Sequence, residues 1–156
     1  MLKLVILNGV SGTGKTSTAR ELHAQHPQFT WLHPDGLWDT PAMAPEDIFV
    51  RVVEALHGVD SYAVVDCQIR PSIIAELLAP LSLDSWLCVL HRCPRSIWEA
   101  RLIDRGWRDF PAEQIAEWAS MLMQESVGPE FLTVDTARHT TADVCAGIMQ
   151  RLAATG

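Results

Sequence analysis

The sequence has little lysine and no long apolar run. Only two of its 156 residues are lysine, Lys3 and Lys15, whereas ten are arginine. No apolar stretch approaches the roughly 18–20 residues that a membrane-spanning helix needs. The N-terminal apolar run leads directly into a glycine-rich loop, which is not the pattern of a signal peptide. We therefore expect no membrane partner and a cytoplasmic location.

Paired cysteines are also missing. The four cysteines contain no C-x-x-C pair and form no ligand cluster with the six histidines (Cys67, Cys88, Cys93 and Cys145). This spacing favours reduced, buried thiols over a disulfide framework or a zinc site. The formal net charge of −7 argues against a general nucleic-acid binder. Five of the ten arginines nevertheless fall between positions 92 and 108, which favours a local site for a small anion.

The most informative segment that is present is GVSGTGKT, at positions 9–16. It has the phosphate-binding-loop pattern G-x-x-x-x-G-K-[ST], in which glycines let backbone amides point at phosphate oxygens. Lys15 can then reach the β and γ phosphates, and the Thr16 hydroxyl can bind Mg²⁺. A chance match is the alternative, but an apolar strand over 2–7 and a helix over 16–26 supply the required context. We predict an ATP and Mg²⁺ site whose loop contacts are Gly9, Ser11, Gly12, Thr13, Gly14, Lys15, Thr16 and Ser17.

Beyond the loop, apolar strands alternate with amphipathic helices. The pattern predicts strands over 28–33, 61–66, 85–91 and 130–134, and helices over 44–57, 71–81, 94–105, 111–124 and 141–153. This alternation is typical of an α/β P-loop NTPase fold, with a five-stranded parallel sheet and helices on both faces. We find no repeat or linker, so residues 1–156 are predicted to form a single domain with a small helical lid at about 105–125.

Two carboxylates follow predicted strands, where ligands bind in sheets of this kind. Asp66 ends the run Ala-Val-Val-Asp and is a candidate Mg²⁺ ligand, although it could simply cap the next turn. Asp35 follows the second strand and is a candidate base that orients an acceptor hydroxyl and takes its proton. Asp39 is a rival for that role, and Pro34-Asp35-Gly36 is equally a good turn sequence.

Other polar and aromatic residues are candidates for binding the two substrates. Gln68 and Arg70 follow Asp66 and are predicted to contact the acceptor. Trp38, with Trp31, could line an acceptor pocket or pack in the core. Asp135 and Thr136 follow the last strand and are predicted to lie near the base of a bound nucleotide, although a turn-and-cap role is an equal alternative.

Three arginines are candidates for catalysis. Arg101 and Arg105 are four residues apart and share a helix face, and Arg108 lies in the loop beyond. Guanidinium groups that close over a transferring phosphoryl group would neutralise its developing charge. A solvated face paired with nearby carboxylates is the alternative. We favour the lid interpretation because Gly106 offers a flexible joint.

These residues together resemble the small P-loop kinases of the gluconate, shikimate and adenylate kinase group. Within that group the chain is most similar to the chloramphenicol phosphotransferases. The matching segments are LKLVILNGVSGTGKT (2–16), Asp-Gly-Leu (35–37), Val-Val-Asp (64–66), the arginine-rich stretch 92–108, and Val-Asp-Thr (134–136). The resemblance implies transfer of the γ-phosphoryl group of ATP to a hydroxyl of a small molecule, with Asp35 as the base. The loop lettering is closer to gluconate kinases and residues 67–71 differ, so the resemblance predicts the reaction but not the acceptor.

Two other functions are compatible with the sequence. A nucleoside or nucleotide kinase would need extra basic groups near Arg70 and Arg92. An ATPase or nucleotide switch would hydrolyse the nucleotide without an acceptor. Against a GTP switch, the sequence contains no Asn-Lys-x-Asp element, and 156 residues leave no room for the extra helical domain of an AAA-type ATPase. The identity of the acceptor and the oligomeric state stay open at this point.

Overall fold

A computed structural model of the protein describes residues 1–34 and 44–155. The described residues form five strands: β1 Leu2–Asn8, β2 Phe29–Leu32, β3 Tyr62–Asp66, β4 Leu83–Arg92 and β5 Phe131–Asp135. The helices are α1 Lys15–Gln25, α2 Pro45–Leu56, α3 Ile74–Leu78, α4 Arg95–Asp104, α5 Ala112–Glu125 and α6 Thr141–Ala154. A single 3₁₀ turn, Pro71–Ile73, leads into α3.

The strands form one parallel sheet in the order β2-β3-β1-β4-β5. The central strand β1 is buried on both sides along almost its whole length, which explains why its sequence is apolar without alternation. Parallel pairing places the carboxyl ends of all the strands along one edge of the sheet. The predicted five-stranded parallel sheet is confirmed.

Helices cover both faces of the sheet, as the sequence predicts. On one face, Leu4 and Ile6 pack against apolar residues of α2 and α3. On the other face, Val5 and Leu7 pack against α1 and α6. Neighbouring residues of β1 therefore belong to opposite layers, as the two-residue period of a strand requires. A third, smaller cluster joins α4 and α5 to the carboxyl end of β4 through Trp98, Leu102, Leu122, Val10 and Leu90.

Most boundaries agree with the predicted ones to within one or two residues, and one helix differs more. The helix predicted over 71–81 is a 3₁₀ turn followed by α3, which ends at Leu78. Pro80 lies two residues beyond and has no amide hydrogen with which to continue the helix. At the start of α6, Thr140 and Asp143 form a reciprocal capping box.

Every helix within the described residues is too short or too polar to span a lipid bilayer.

Candidate active site

The glycine-rich loop joins β1 to α1 at the carboxyl edge of the sheet. Three of its glycines have positive φ angles: Gly9 at 142°, Gly12 at 85° and Gly14 at 94°. A Cβ atom on Gly9 would lie 2.6 Å from the carbonyl oxygen of His91, and one on Gly12 would lie 2.9 Å from that of Trp98. Glycine is therefore required at both positions by backbone angle and by space. The loop encloses the N-terminus of α1, where backbone amides and the helix dipole favour a bound phosphate.

The buried side chain of Asn8 holds this loop against the segment that follows β3. Its Nδ2 donates to the carbonyl oxygen of Ile69 at 2.7 Å. Its Oδ1 accepts hydrogen bonds from the amides of Ile69 at 3.1 Å and Gly9 at 2.9 Å. The sequence argument missed this residue. The sequence feature that could have identified Asn8 is an amide side chain at the end of an apolar strand, directly before the first loop glycine.

Asp66 and Thr16 lie next to each other at the head of α1. The Thr16 hydroxyl donates to Asp66 Oδ2 at 3.0 Å, although the two residues are fifty positions apart in the chain. Asp66 is 4% exposed. Two further donors hold its carboxylate: Trp31 Nε1 donates to Oδ1 at 2.8 Å, and His33 Nδ1 donates to Oδ2 at 2.6 Å. Trp31 is thus a partner of Asp66 and not only a core residue.

The role of His33 could have been found from strand register. β2 pairs with β3 so that Leu32 lies beside Val65, which places His33 level with Asp66 at the carboxyl edge. A histidine that directly follows a strand, next to a strand ending in aspartate, is the signal that the sequence argument overlooked.

The donor set at this point fits a magnesium ion. A hydroxyl oxygen and a carboxylate oxygen are hard ligands of the kind that Mg²⁺ prefers, and Mg²⁺ is commonly held by one or two protein oxygens together with substrate phosphates and water. Among the described residues, no group of three or more His, Cys, Asp or Glu side chains is placed to hold a metal by itself. Thr16 and Asp66 therefore suit a metal that arrives with a nucleotide.

One cavity of about 330 Å³ opens in front of the loop. Its floor consists of the loop residues Ser11–Thr16 together with Asp66. The Lys15 ammonium group, which is part of this floor, donates to the carbonyl oxygen of Gly9. The remaining wall is largely apolar and is made of Pro34, Pro45, Ile48, Phe49, Cys67, Gln68, Arg105 and Trp107. Gln68, which the sequence predicts to contact the acceptor, lines this cavity, and its contact with an acceptor stays a prediction.

The three candidate arginines lie in different surroundings. Arg105 lines the cavity. Arg101 donates to the carbonyl oxygens of Gly12 and Thr136, and to the Thr136 hydroxyl, each at 3.1 Å. It therefore holds the loop from the side of β5. Arg108 is exposed, donates to the carbonyl oxygen of Trp107 at 2.9 Å and does not line the cavity.

Gly106 follows the end of α4, and its backbone hydrogen bonds define that end. The flexible joint predicted at this position stays a prediction. The φ angle of Gly106 is 86°, its amide donates to the carbonyl oxygen of Ile103 at 2.9 Å, and the amide of Trp107 donates to that of Leu102 at 3.0 Å. This pair of bonds is a Schellman motif. The motif directs the chain so that Arg105 and Trp107, on either side of the glycine, both face the cavity.

A second, smaller cavity of about 230 Å³ adjoins the loop from the other side. Three of the predicted nucleotide contacts, Gly14, Ser17 and Thr136, line it, and so do Arg101 and Arg105. The Thr136 hydroxyl also donates to the carbonyl oxygen of Thr13 at 2.9 Å, which joins the β5–α6 turn to the loop. Arg105 lies between the two cavities because it lines both.

Besides Arg108, two further candidates have structural partners and line neither cavity. Arg70 donates through Nε and Nη2 to the carboxylate of Glu125 at 3.1 and 3.0 Å. Asp135 accepts a hydrogen bond from the amide of Ala137 at 2.9 Å, as in the turn-and-cap alternative. The predicted base Asp35, its rival Asp39 and the predicted acceptor contact Trp38 lie outside the described residues.

No protein-family model and no curated protein matches the chain. Its structure is similar to a sugar kinase from Janibacter sp. HTCC2649, with 17% identity and a TM-score of 0.75 over 97% of this chain and 95% of that one. It is also similar to a gluconokinase from Sinorhizobium meliloti 1021, with 17% identity and a TM-score of 0.75 over 97% and 91%. A tunicamycin resistance protein from Deinococcus radiodurans has 20% identity and a TM-score of 0.69 over 97% and 96%. The chain therefore has the P-loop kinase fold. At these identities the likeness is one of fold alone, and the reaction has to be argued from the site.

Proposed function

We propose that the protein is a phosphotransferase that moves the γ-phosphoryl group of Mg²⁺-ATP to a hydroxyl of a small molecule, in the manner of chloramphenicol phosphotransferases. One observation carries the proposal. The Thr16 hydroxyl and Asp66 Oδ2 are 3.0 Å apart, and both residues line a cavity that is also lined by side chains outside the phosphate loop. A donor bound on the loop and an acceptor bound against those side chains would share one enclosed space, which is what direct transfer requires.

The chain offers a separate role for each group around the triphosphate. The loop amides, Lys15 and the N-terminus of α1 would bind the phosphates. Thr16 and Asp66 would hold Mg²⁺, and the ion supplies neutralisation of the negative charge on the phosphates. The second cavity, lined by Ser17 and Thr136, would take the nucleoside.

Arg105 is the best placed of the three predicted catalytic arginines because it lies between the two cavities. From there its guanidinium group would stabilise the charge that develops on the transferring phosphoryl group. Arg101 would act through the loop backbone, whose position it fixes. The proposed lid at about 105–125 would close over the bound substrates, and Arg108 would move with it towards the phosphoryl group.

Asp35 is the proposed base, with Asp39 as its rival. Asp35 follows Pro34, which lines the cavity, so the chain enters this segment at the cavity wall. A carboxylate there would orient the acceptor hydroxyl and accept its proton as the oxygen attacks phosphorus.

The test is ADP release from Mg²⁺-ATP in the presence of hydroxyl acceptors that include chloramphenicol, other antibiotics and nucleosides. We expect one acceptor class to stimulate release. Lys15→Ala should abolish turnover and Lys3→Ala, its matched control, should retain it. Asp35→Asn should retain ATP binding but slow transfer by about two or more orders of magnitude, unlike the exposed control Asp60→Asn. Normal turnover in Lys15→Ala would disprove the scheme, and unchanged transfer in Asp35→Asn would move the base to Asp39.

A further inference from the structure

The distribution of positive charge around the cavity restricts the kind of acceptor that it can hold. All twelve lysine and arginine side chains belong to the described residues, because positions 35–43 and 156 contain neither. Of these twelve, only Lys15 and Arg105 line the cavity in front of the loop. The six histidines also lie within the described residues, and none of them lines that cavity.

Four arginines that could have added positive charge already bind other groups, and Arg92 lines a different cavity. Arg70, which directly follows the acceptor-side residues Gln68 and Ile69, forms a two-nitrogen ion pair with Glu125. Arg95 pairs with Glu113 at 2.7 Å and also with Glu99. The guanidinium groups of Arg101 and Arg108 bind carbonyl oxygens of the backbone.

The two cations that do line the cavity are needed by the nucleotide in the proposed function. A nucleoside triphosphate brings several negative charges to the loop, and Lys15 and Arg105 are the side chains that face them. On the acceptor side, the wall consists of neutral groups: Pro34, Pro45, Ile48, Phe49, Gln68 and Trp107. The residues between Pro34 and Ala44 include no lysine, arginine or histidine, and positions 35–43 lie outside the described residues.

An anionic acceptor would therefore lack a counter-charge. Carboxylate and phosphate groups are usually bound by arginine forks or by lysine, and binding such a charge without a partner is unfavourable. The γ-phosphate and the Asp66 carboxylate, which lines the cavity, would add repulsion. The apolar wall, by contrast, suits a ligand with an aliphatic or aromatic surface. Trp107 is 43% exposed and faces the cavity, where it can cover such a surface.

We propose that the phosphoryl acceptor is an uncharged alcohol with an apolar or aromatic surface, and that sugar acids, other carboxylates and nucleoside monophosphates are poor acceptors. The inference rests on the proposed function. The inference extends the proposed function because it assigns the charge and polarity of the acceptor from the side chains of the cavity.

Pairs of related acceptors, in which one member carries an anionic group and the other is neutral, provide the test. ADP release by the full chain with Mg²⁺-ATP would be measured for D-glucitol and D-gluconate, methyl shikimate and shikimate, thymidine and thymidine monophosphate, and for chloramphenicol. We expect kcat/KM to be at least about tenfold lower for the anionic member of any pair in which the neutral member is a substrate, and highest for aromatic or aliphatic alcohols. A higher kcat/KM for gluconate, shikimate or thymidine monophosphate would overturn this inference and leave the proposed kinase function intact. Stimulation by none of the compounds would overturn both.

A charge added to the acceptor wall gives an independent test. Gln68→Lys should raise kcat/KM for the anionic member relative to its neutral partner by about tenfold, because the new ammonium group supplies the missing counter-charge. Gln114→Lys, which adds the same charge on an exposed face of α5 away from the cavity, should leave the ratio unchanged. Equal ratios in the two variants would show that the acceptor does not bind beside Gln68, and the inference would fail.

Discussion

Asp66 accepts three hydrogen bonds from donors in different parts of the chain. Thr16 comes from the first turn of α1, Trp31 from β2, and His33 from the residue directly after β2. The carboxylate is almost fully buried, and a buried carboxylate is stable only when such donors satisfy its oxygens. The three donors also fix the direction in which its remaining lone pairs point, which is what a metal ligand needs.

A conservative change at Trp31 tests this arrangement at the scale of one atom. Trp31→Phe keeps an aromatic ring but removes the Nε1 donor that binds Asp66 Oδ1. We expect the Mg²⁺ concentration for half-maximal nucleotide binding to rise by roughly tenfold, because loss of a hydrogen bond to a charged group costs about 1.5–3 kcal/mol. Calorimetric titration of the protein with ATP at several Mg²⁺ concentrations measures this half-maximal concentration.

The matched control for that change is Trp86→Phe. Trp86 packs edge-on against Phe131, with ring centroids 5.7 Å apart, and does not line the cavity. Nucleotide binding by the Trp86→Phe variant should depend on Mg²⁺ concentration in the same way as binding by the unmodified protein. If Trp31→Phe also leaves the Mg²⁺ dependence unchanged, Asp66 is held well enough by Thr16 and His33 alone.

At the scale of elements, the end of α4 determines which side chains face the cavity. The helix ends at Asp104, and the Schellman motif around Gly106 reverses the direction of the chain. Arg105 and Trp107 thereby reach the cavity, whereas Arg101, one turn earlier on the same helix, faces the loop backbone. Arg101 and Arg105 have the expected helical spacing, but Arg101 lies inside the helix and Arg105 lies just beyond its end. The two side chains therefore have different surroundings.

Substitution of Gly106 tests the importance of this helix end. Gly106→Ala meets no steric obstacle, since nothing lies within 4 Å of the position of its Cβ, but a φ of 86° is unfavourable for alanine. We expect a loss of unfolding free energy of about 1 kcal/mol and a lower kcat/KM, because Arg105 and Trp107 would shift. Urea denaturation and ADP release measure the two effects.

Gly147→Ala is the matched control for Gly106→Ala. Gly147 lies inside α6, and its Cβ position also has nothing within 4 Å, but its φ is not positive. Alanine there should raise the unfolding free energy by about 0.5–1 kcal/mol, because alanine loses less entropy in a helix than glycine does. We expect the two variants to change the unfolding free energy in opposite directions. Destabilisation by both would contradict the assignment of the Gly106 effect to its backbone angle.

At the scale of the whole molecule, stability should depend on pH through a histidine in the core. His91 is 1% exposed, and its Nε2 forms a 2.9 Å hydrogen bond with the Thr18 hydroxyl, between β4 and α1. Burial lowers the pKa of His91 from 6.5 to about 4. Between these values the unfolded chain binds a proton that the folded chain does not, so stability falls as pH decreases from about 6.5 to 4.

The expected size of this effect is up to about 3 kcal/mol over that pH range, since one pKa unit corresponds to about 1.4 kcal/mol. Urea denaturation at pH 7 and pH 4.5 should show that His91→Gln loses part of the pH dependence, whereas the exposed control His139→Gln keeps it. If the variant folds poorly, NMR titration of the imidazole in the unmodified protein decides the matter. A measured pKa near 6.5 would contradict the prediction.

Long-range contacts at the carboxyl edge assemble the site from distant parts of the chain. Thr16 and Asp66 are 50 residues apart, Gly12 and Arg101 are 89 apart, and Thr13 and Thr136 are 123 apart. A parallel sheet makes these contacts possible because it brings the ends of all its strands to one edge. The residues that follow strands could therefore be selected from the sequence, but their partners could not.

The sequence alone determined the fold and the loop, since both are encoded by local patterns. Buried strands need apolar runs, helices need an apolar stripe, and a loop around a phosphate needs glycines at fixed spacing. The roles of Asp35, Asp39 and Trp38 stay predictions from the sequence. Tertiary structure decided that Arg105 faces the cavity while Arg70 pairs with Glu125, and that Trp31 and His33 bind Asp66. These outcomes depend on where each helix ends and how the strands align, which are set by packing between residues that are distant in sequence.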